Sequence, residues 1–227
     1  MGGVDFNYLV RPSGGGATQY AETFNRVDQP FFLGNNWNTQ VTDVSSIAGV
    51  DIAAGVNVGA GSATIGGAAA LSPRILFTPS FIDRQRFTTL SATRGQFSQF
   101  TIKAFAGGIS GDIGLMCYNP NPNNDNCYLL LIGTSTGIVR LFRNMGTAAT
   151  VLVANVCGFA VNDVMRMEVT PSAPSNEIRS YRNGALQNTF TDSNAARPTG
   201  GGMFGLAWFS NGAGGSLSFG DYSGGLL

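Results

Sequence analysis

The chemistry open to this chain is bounded first by what it lacks. It has no histidine, one lysine (Lys103) and three glutamates: Glu22, Glu168 and Glu177. Without histidine there is no Ser-His-Asp or Cys-His nucleophile. Glycoside hydrolysis needs two carboxylates flanking one bond, and no two acids stand at alternate positions of one expected strand. Glu168 is the sole acid in a well-patterned strand, and it reads as a surface residue paired with a neighbouring arginine. Cys117, Cys127 and Cys157 occur without a CxxC, so zinc is not expected. They read as buried thiols, with a Cys117–Cys127 bridge across a hairpin as the alternative. Gly59-Ala60-Gly61 has phosphate-loop glycine spacing, but no helix follows to hold a phosphate. The chain is therefore expected to be a non-enzyme without a cofactor.

Recognition remains. A sugar site needs aromatic faces to stack on and amide or carboxylate groups to meet hydroxyls. The candidates are Trp37, Tyr118, Asn121, Asn124, Asp125 and Tyr181, with Asn119, Asn123 and Trp208 beside them. The competing reading makes both tryptophans core anchors and the Asn/Pro loop a simple turn. The same loop, 119–126, is dense enough in Asn and Asp to be a candidate for calcium.

Composition points to association. Charged residues make up 11% of 227, thirteen basic balance thirteen acidic, and hydrophobic residues reach 43%. A free domain usually keeps a charged surface and a net charge, so a chain this neutral reads as part of a large assembly. A secreted domain solubilised by Asn, Ser and Thr is the alternative. Scattered arginines without a basic stripe argue against nucleic acid. No run of apolar residues is long enough for a membrane helix, and no signal peptide is expected.

The elements that must position these residues are strands. Residues 1–20, with Arg11-Pro12-Ser13-Gly14-Gly15-Gly16, read as an N-terminal extended arm, and 21–227 as one domain. Residues 39–90 are rich in Gly and Ala and read as an insertion. From Gly95 short apolar segments recur between turn signals, with no helical periodicity. Cys127–Ile132 is almost continuously apolar, hence a strand covered on both faces. Val164–Thr170 alternates, placing Met165, Met167 and Val169 on one side and Arg166 and Glu168 on the other. Arg140 and Arg143 of the strand Ile138–Arg143 are expected to point outward. Asn183-Gly184 signals a type I′ hairpin turn, and Asp163 is placed to bond the turn backbone ahead of its strand. The sum is an all-β, two-sheet antiparallel sandwich.

The order of these motifs resembles the concanavalin A-like lectin/glucanase (LamG-like) jelly roll. Glu22-Thr23-Phe24-Asn25-Arg26-Val27-Asp28 followed by Leu33-Gly34-Asn35-Asn36-Trp37 is similar to that family's opening, with Glu22 where Asp is usual. Tyr128 to Ile132, Gly137 to Arg143, and Asn162-Asp163 before Val164–Val169 follow its order. So do Ile178, Tyr181, Asn183 and Gly184, then Phe190–Ser193, Gly201 to Leu206, and the closing Phe219-Gly220-Asp221-Tyr222. The family's enzymes carry E-x-D-x-x-E on one strand, which is absent here. Bacteriophage particles carry domains of this kind. The resemblance thus implies a jelly-roll virion protein, as capsid decoration, fibre or tail component, made in the host cytoplasm. Its partners would be other virion proteins, copies of itself and a host-surface glycan. A carbohydrate-binding lectin or adhesin module is the alternative.

Overall fold

The computed structural model describes residues 19–22, 29–30, 37–41, 56–59, 62–66, 74–79, 92–106, 111–119, 126–133, 136–145, 148–210 and 216–227. Before residue 92, and at 106, 111–113, 208–210 and 216, the description is of backbone alone. Beyond a single helical turn at 92–94, the regular structure is strand. In chain order these are β1 Gln19–Glu22, β2 Gln29–Pro30, β3 Trp37–Val41, β4 Val56–Gly59, β5 Ser62–Gly66 and β6 Arg74–Pro79. They continue with β7 Gln96–Ala106, β8 Gly111–Asn119, β9 Cys127–Gly133, β10 Ile138–Met145 and β11 Ala148–Gly158. The last are β12 Val164–Ser172, β13 Ser175–Arg182, β14 Ala185–Asp192, β15 Met203–Ser210 and β16 Ser216–Leu226.

They form two antiparallel sheets. The first runs β14-β13-β12-β7-β16-β5-β4-β2, with β1 also paired to β16. The second runs β11-β10-β9-β8-β15-β6-β3. The long β16 takes β5 along its first half and β1 along its second. Gln19 and Tyr20, the end of the expected arm, thus lie in a sheet strand; residues 1–18 fall outside the described residues. From the expected insertion, β4 and β5 join the first sheet and β6 the second.

The core fills the space between the sheets. Phe100 and Ile102 of β7, Met165, Met167 and Val169 of β12, and Phe219 and Tyr222 of β16 face Leu115, Leu130, Leu141, Phe204 and Leu206 from the second sheet. Each such side chain, fully buried, contributes about 1.5–3 kcal/mol of transfer free energy. Residues i and i+2 share a face, so β12 alternates as expected: Met165, Met167 and Val169 are buried and Arg166 and Glu168 half-buried. β9 is buried along its whole length, both faces covered. Its outward residues Leu129 and Leu131 join Met116, Cys127, Phe142 and Ala207 in a second apolar cluster on the far side of that sheet.

Close approach requires glycine at Gly114 and Gly224, among others. A Cβ on Gly114 would lie 1.9 Å from the Leu130 carbonyl oxygen, and one on Gly224 2.3 Å from the Phe204 ring.

Two expectations need correction, at Cys157 and at Arg143. Cys157 is half-buried rather than buried, whereas Cys117 and Cys127 are free buried thiols as expected, without the alternative bridge. They lie on adjacent antiparallel strands, but Cys117 is registered with Tyr128, one position off Cys127. Cys117 therefore points into the core between the sheets and Cys127 into the cluster on the opposite face; no bridge can pass through the sheet. Arg143 also points inward. It shares parity with the core residues Val139 and Leu141, and its Nη1 donates to Asp192 Oδ1 at 2.8 Å. Asp192 is 3% exposed.

Candidate functional site

Two polar clusters compete as functional sites, one between the sheets and one on the open face of the first sheet. The buried cluster is built on Asp192, at the end of β14. It accepts from Arg143 Nη1 and, through Oδ2 at 2.9 Å, from the Tyr128 hydroxyl. Asn176 Nδ2 donates to the Tyr128 oxygen at 3.0 Å and to the Pro198 carbonyl at 2.7 Å. Burial pushes the Tyr128 phenol well above its ordinary value. Asp192 and Asn176 are buried and the Arg143 side chain is nearly so, and these groups bond one another across the two sheets. The cluster is a structural tie, and removing one partner would strand a buried charge.

A second tie links sequence motifs that look like signatures. Asp163 Oδ2 accepts from the Ala160 amide at 2.6 Å and from Arg182 Nε at 2.7 Å, and Oδ1 accepts from Asn183 Nδ2 at 2.7 Å. Asn183 Oδ1 in turn accepts from the Val164 amide at 2.8 Å. Asn183 and Gly184 both have positive φ, 52° and 77°, the I′ geometry the Asn-Gly pair predicts. Burial alone would raise the Asp163 carboxyl. The hydrogen bonds from Asn183 and Ala160 and the pairing with Arg182 outweigh it, so the group sits below its usual value.

The open cluster lies where β13, β12 and β7 run side by side. Register places Tyr181 beside Arg166 and Arg166 beside Gln99, with Arg179 beside Glu168 and Glu168 beside Phe97. All are on the outward face because they alternate with buried partners. Arg166 Nε pairs with Glu168 Oε1 at 2.7 Å and Nη1 donates to Gln99 Oε1 at 3.1 Å. The guanidinium lies over the Phe97 ring, 3.9 Å from its centre, a cation–π contact. The Tyr181 hydroxyl donates to Glu168 Oε2 at 3.0 Å. Burial first, then the bond to Glu168 and its charge, raise the Tyr181 phenol. Arg179 pairs with Glu177 at 2.6 Å. The expected Glu168–arginine pair is thus present.

Chemically this face can hydrogen-bond and stack, and its acids are spoken for. Asp163, Glu168, Glu177, Asp192 and Asp221 each meet an arginine or lysine. No group of His, Cys, Asp and Glu among the described residues could hold a metal ion.

The candidates named from sequence are scattered. Tyr181 belongs to the open cluster. Tyr118 does not: it is 1% exposed, packed between the sheets beside Tyr128 with ring centres 6.5 Å apart. It cannot stack a sugar there, and burial raises its phenol. Its neighbour Asn119 is buried as well. Asn121, Asn124 and Asp125, and with them the calcium candidate loop, lie outside the described residues, as does the side chain of Trp37. Sequence reading missed Arg166, Gln99 and Phe97 as site residues. The alternation of β12 was the available signal for Arg166; Phe97 and Gln99 needed the β7–β12 register.

No protein-family model matches the chain, and no curated protein matches it. Solved structures share its fold. The endo-1,3-beta-glucanase from Streptomyces sioyaensis superposes with a TM-score of 0.57 at 12% identity, covering 96% of this chain and 100% of that one. LamAcat from Zobellia galactanivorans does so at 0.53 and 11%, covering 92% and 96%. The carbohydrate recognition domain of Emp47p gives 0.50 and 11%, covering 92% and 95%. The chain thus shares the two-sheet antiparallel jelly-roll sandwich fold of these three structures.

Proposed function

We propose that this chain is a non-catalytic, lectin-like module that binds neutral carbohydrate on the open face of its first sheet. The observation that carries the reading is the Arg166–Glu168–Gln99–Tyr181 cluster over Phe97, a flat surface of planar hydrogen-bonding groups with its charges neutralised in pairs. Such a face offers several donors and acceptors to hydroxyls without a net charge that would favour acidic sugars. The fold likeness to a carbohydrate recognition domain supports it. Calorimetry or affinity electrophoresis against a panel of neutral polysaccharides tests it. Arg166→Ala and Tyr181→Ala are each expected to weaken binding roughly tenfold, the worth of about one good hydrogen bond. No binding by the unaltered chain, or full binding by both variants, would sink the reading. Release of reducing sugar that Glu168→Gln abolishes would overturn its non-catalytic part.

A second reading, a structural component of a bacteriophage particle, is favoured by different observations. The chain carries few charges and one lysine, and Phe105, Val151, Val161 and Leu186 are large apolar side chains left exposed. Recovery of the chain as a stoichiometric component of purified particles is the result that reading requires.

A further inference from the structure

Asn183 and Gly184 form the tip of the β13–β14 hairpin, with Arg182 registered to Ala185 across it. Both tip residues are exposed. An asparagine followed by glycine is open to a reaction that other pairs resist. The backbone nitrogen of the next residue attacks the side-chain amide carbon, and glycine puts no side chain in its way. Here nothing lies within 4 Å of where a Gly184 Cβ would stand. Every other asparagine among the described residues precedes a residue with a side chain. The Asn183 side chain is nevertheless gripped at both ends. Nδ2 donates to Asp163 Oδ1 at 2.7 Å, and Oδ1 accepts from the Val164 amide at 2.8 Å. The backbone amide of Asn183 donates in turn to the Val164 carbonyl at 2.8 Å. For the amide carbon to swing onto the Gly184 nitrogen, the side chain must leave Asp163 and Val164 together.

We propose that Asn183 is a latent site of spontaneous deamidation, held back in the folded chain by Asp163 and Val164, whose product cannot return to the tie. The Gly184 nitrogen forms a bond to Asn183 Cγ and the Cγ–Nδ2 bond breaks. Ammonia leaves, carrying the proton that the Gly184 nitrogen gives up. Water then opens the five-membered imide at either carbonyl, leaving aspartate or isoaspartate at 183. Aspartate sets a carboxylate oxygen where the Nδ2 donor stood, 2.7 Å from Asp163 Oδ1, so like-charge repulsion replaces a hydrogen bond. Isoaspartate lengthens the main chain inside a two-residue turn, whose length fixes the hairpin register. The other charged and titratable groups at the tie are Arg182, paired with Asp163, and Cys157 of β11. The proposal does not depend on sugar binding.

Peptide mapping by mass spectrometry, after incubating the full chain at mildly alkaline pH, tests it. The map also reads Asn211, of a second Asn-Gly pair that lies outside the described residues. Conversion at 183 is expected to run about tenfold faster in guanidinium chloride than in the native chain, and Asp163→Ala to raise the native rate severalfold. Stability supplies an independent readout. Asn183→Asp is expected to unfold at a lower urea midpoint than Asn183→Gly, which loses the same tie and keeps the turn without a charge. That gap is expected to close as pH falls through the carboxylate range and the two acids protonate. Equal rates at 183 in native and denatured chain overturn the proposal. So do conversion of Asn211 without Asn183 in the denatured chain, and equal midpoints for the two variants at neutral pH.

Discussion

The outward faces of the two sheets differ in kind. On the first sheet, β12 and β13 turn out Arg166, Glu168, Arg179 and Tyr181, all at least partly reached by solvent. On the second, the matching positions are Met116, Leu129, Leu131 and Phe142, all buried. An antiparallel sheet with one wet face alternates in sequence, while one covered on both sides runs apolar throughout. The contrast teaches where function can lie among the described residues. A ligand arriving from water meets hydrogen-bonding groups on the first sheet and finds the second already closed. It also separates two kinds of polar cluster among the described residues: Asp192 joins the two sheets and Asp163 ties the turn before β12 to the end of β13, whereas the Arg166 group lies on the open face of the first sheet.

The sharpest way to break this comparison is steric. Gly114→Val places carbon against the Leu130 backbone, in the doubly covered sheet, and is expected to cost about 3 kcal/mol, read as a lowered urea midpoint. A variant within about 0.5 kcal/mol of the parent would show that β8 and β9 are not so closely apposed.

The next test sets the two outward faces side by side. Leu129→Ala, on the covered face, is expected to lose about 2–5 kcal/mol. Thr170→Ala, on the open face of β12, is expected to stay within about 0.5 kcal/mol. Equal effects in the two unfolding curves would erase the distinction.

The smallest effect concerns the Asp163 tie. Its folded carboxyl is depressed below the unfolded value, so its contribution is present above the ordinary carboxylate range and is lost as pH falls through the folded pKa. Asp163→Asn is expected to cost about 1–2 kcal/mol at neutral pH and to flatten part of the acid limb of the stability–pH profile. An unchanged acid limb would mean the ties at Ala160, Asn183 and Arg182 contribute nothing.

Much of the fold was legible along the chain. The alternation of Val164–Thr170, the unbroken run of β9 and the Asn183-Gly184 turn each report a local cause: a half-wet strand, a doubly buried strand, a backbone that needs positive φ. The candidate site was legible only in part. Tyr181 was found because an aromatic stands out by type, and Tyr118 was misplaced for the same reason. Nothing local distinguishes an aromatic at an outward position from one turned between sheets. Arg143 misled similarly, since an arginine in an alternating strand suggests solvent and its partner Asp192 lies 49 residues on.

Composition and pattern alone settled that this chain is built of antiparallel strands in two layers, because strand periodicity and turn chemistry are local properties. They also settled that it has no histidine to work with. Register between distant strands decided the rest: that Cys117 and Cys127 face opposite sides, that Asp192 joins the sheets, and that Arg166 of β12 meets Phe97 and Gln99 of β7. Those meetings depend on which strands become neighbours and at what offset, and the free energy that sets the offset is spread over the whole core.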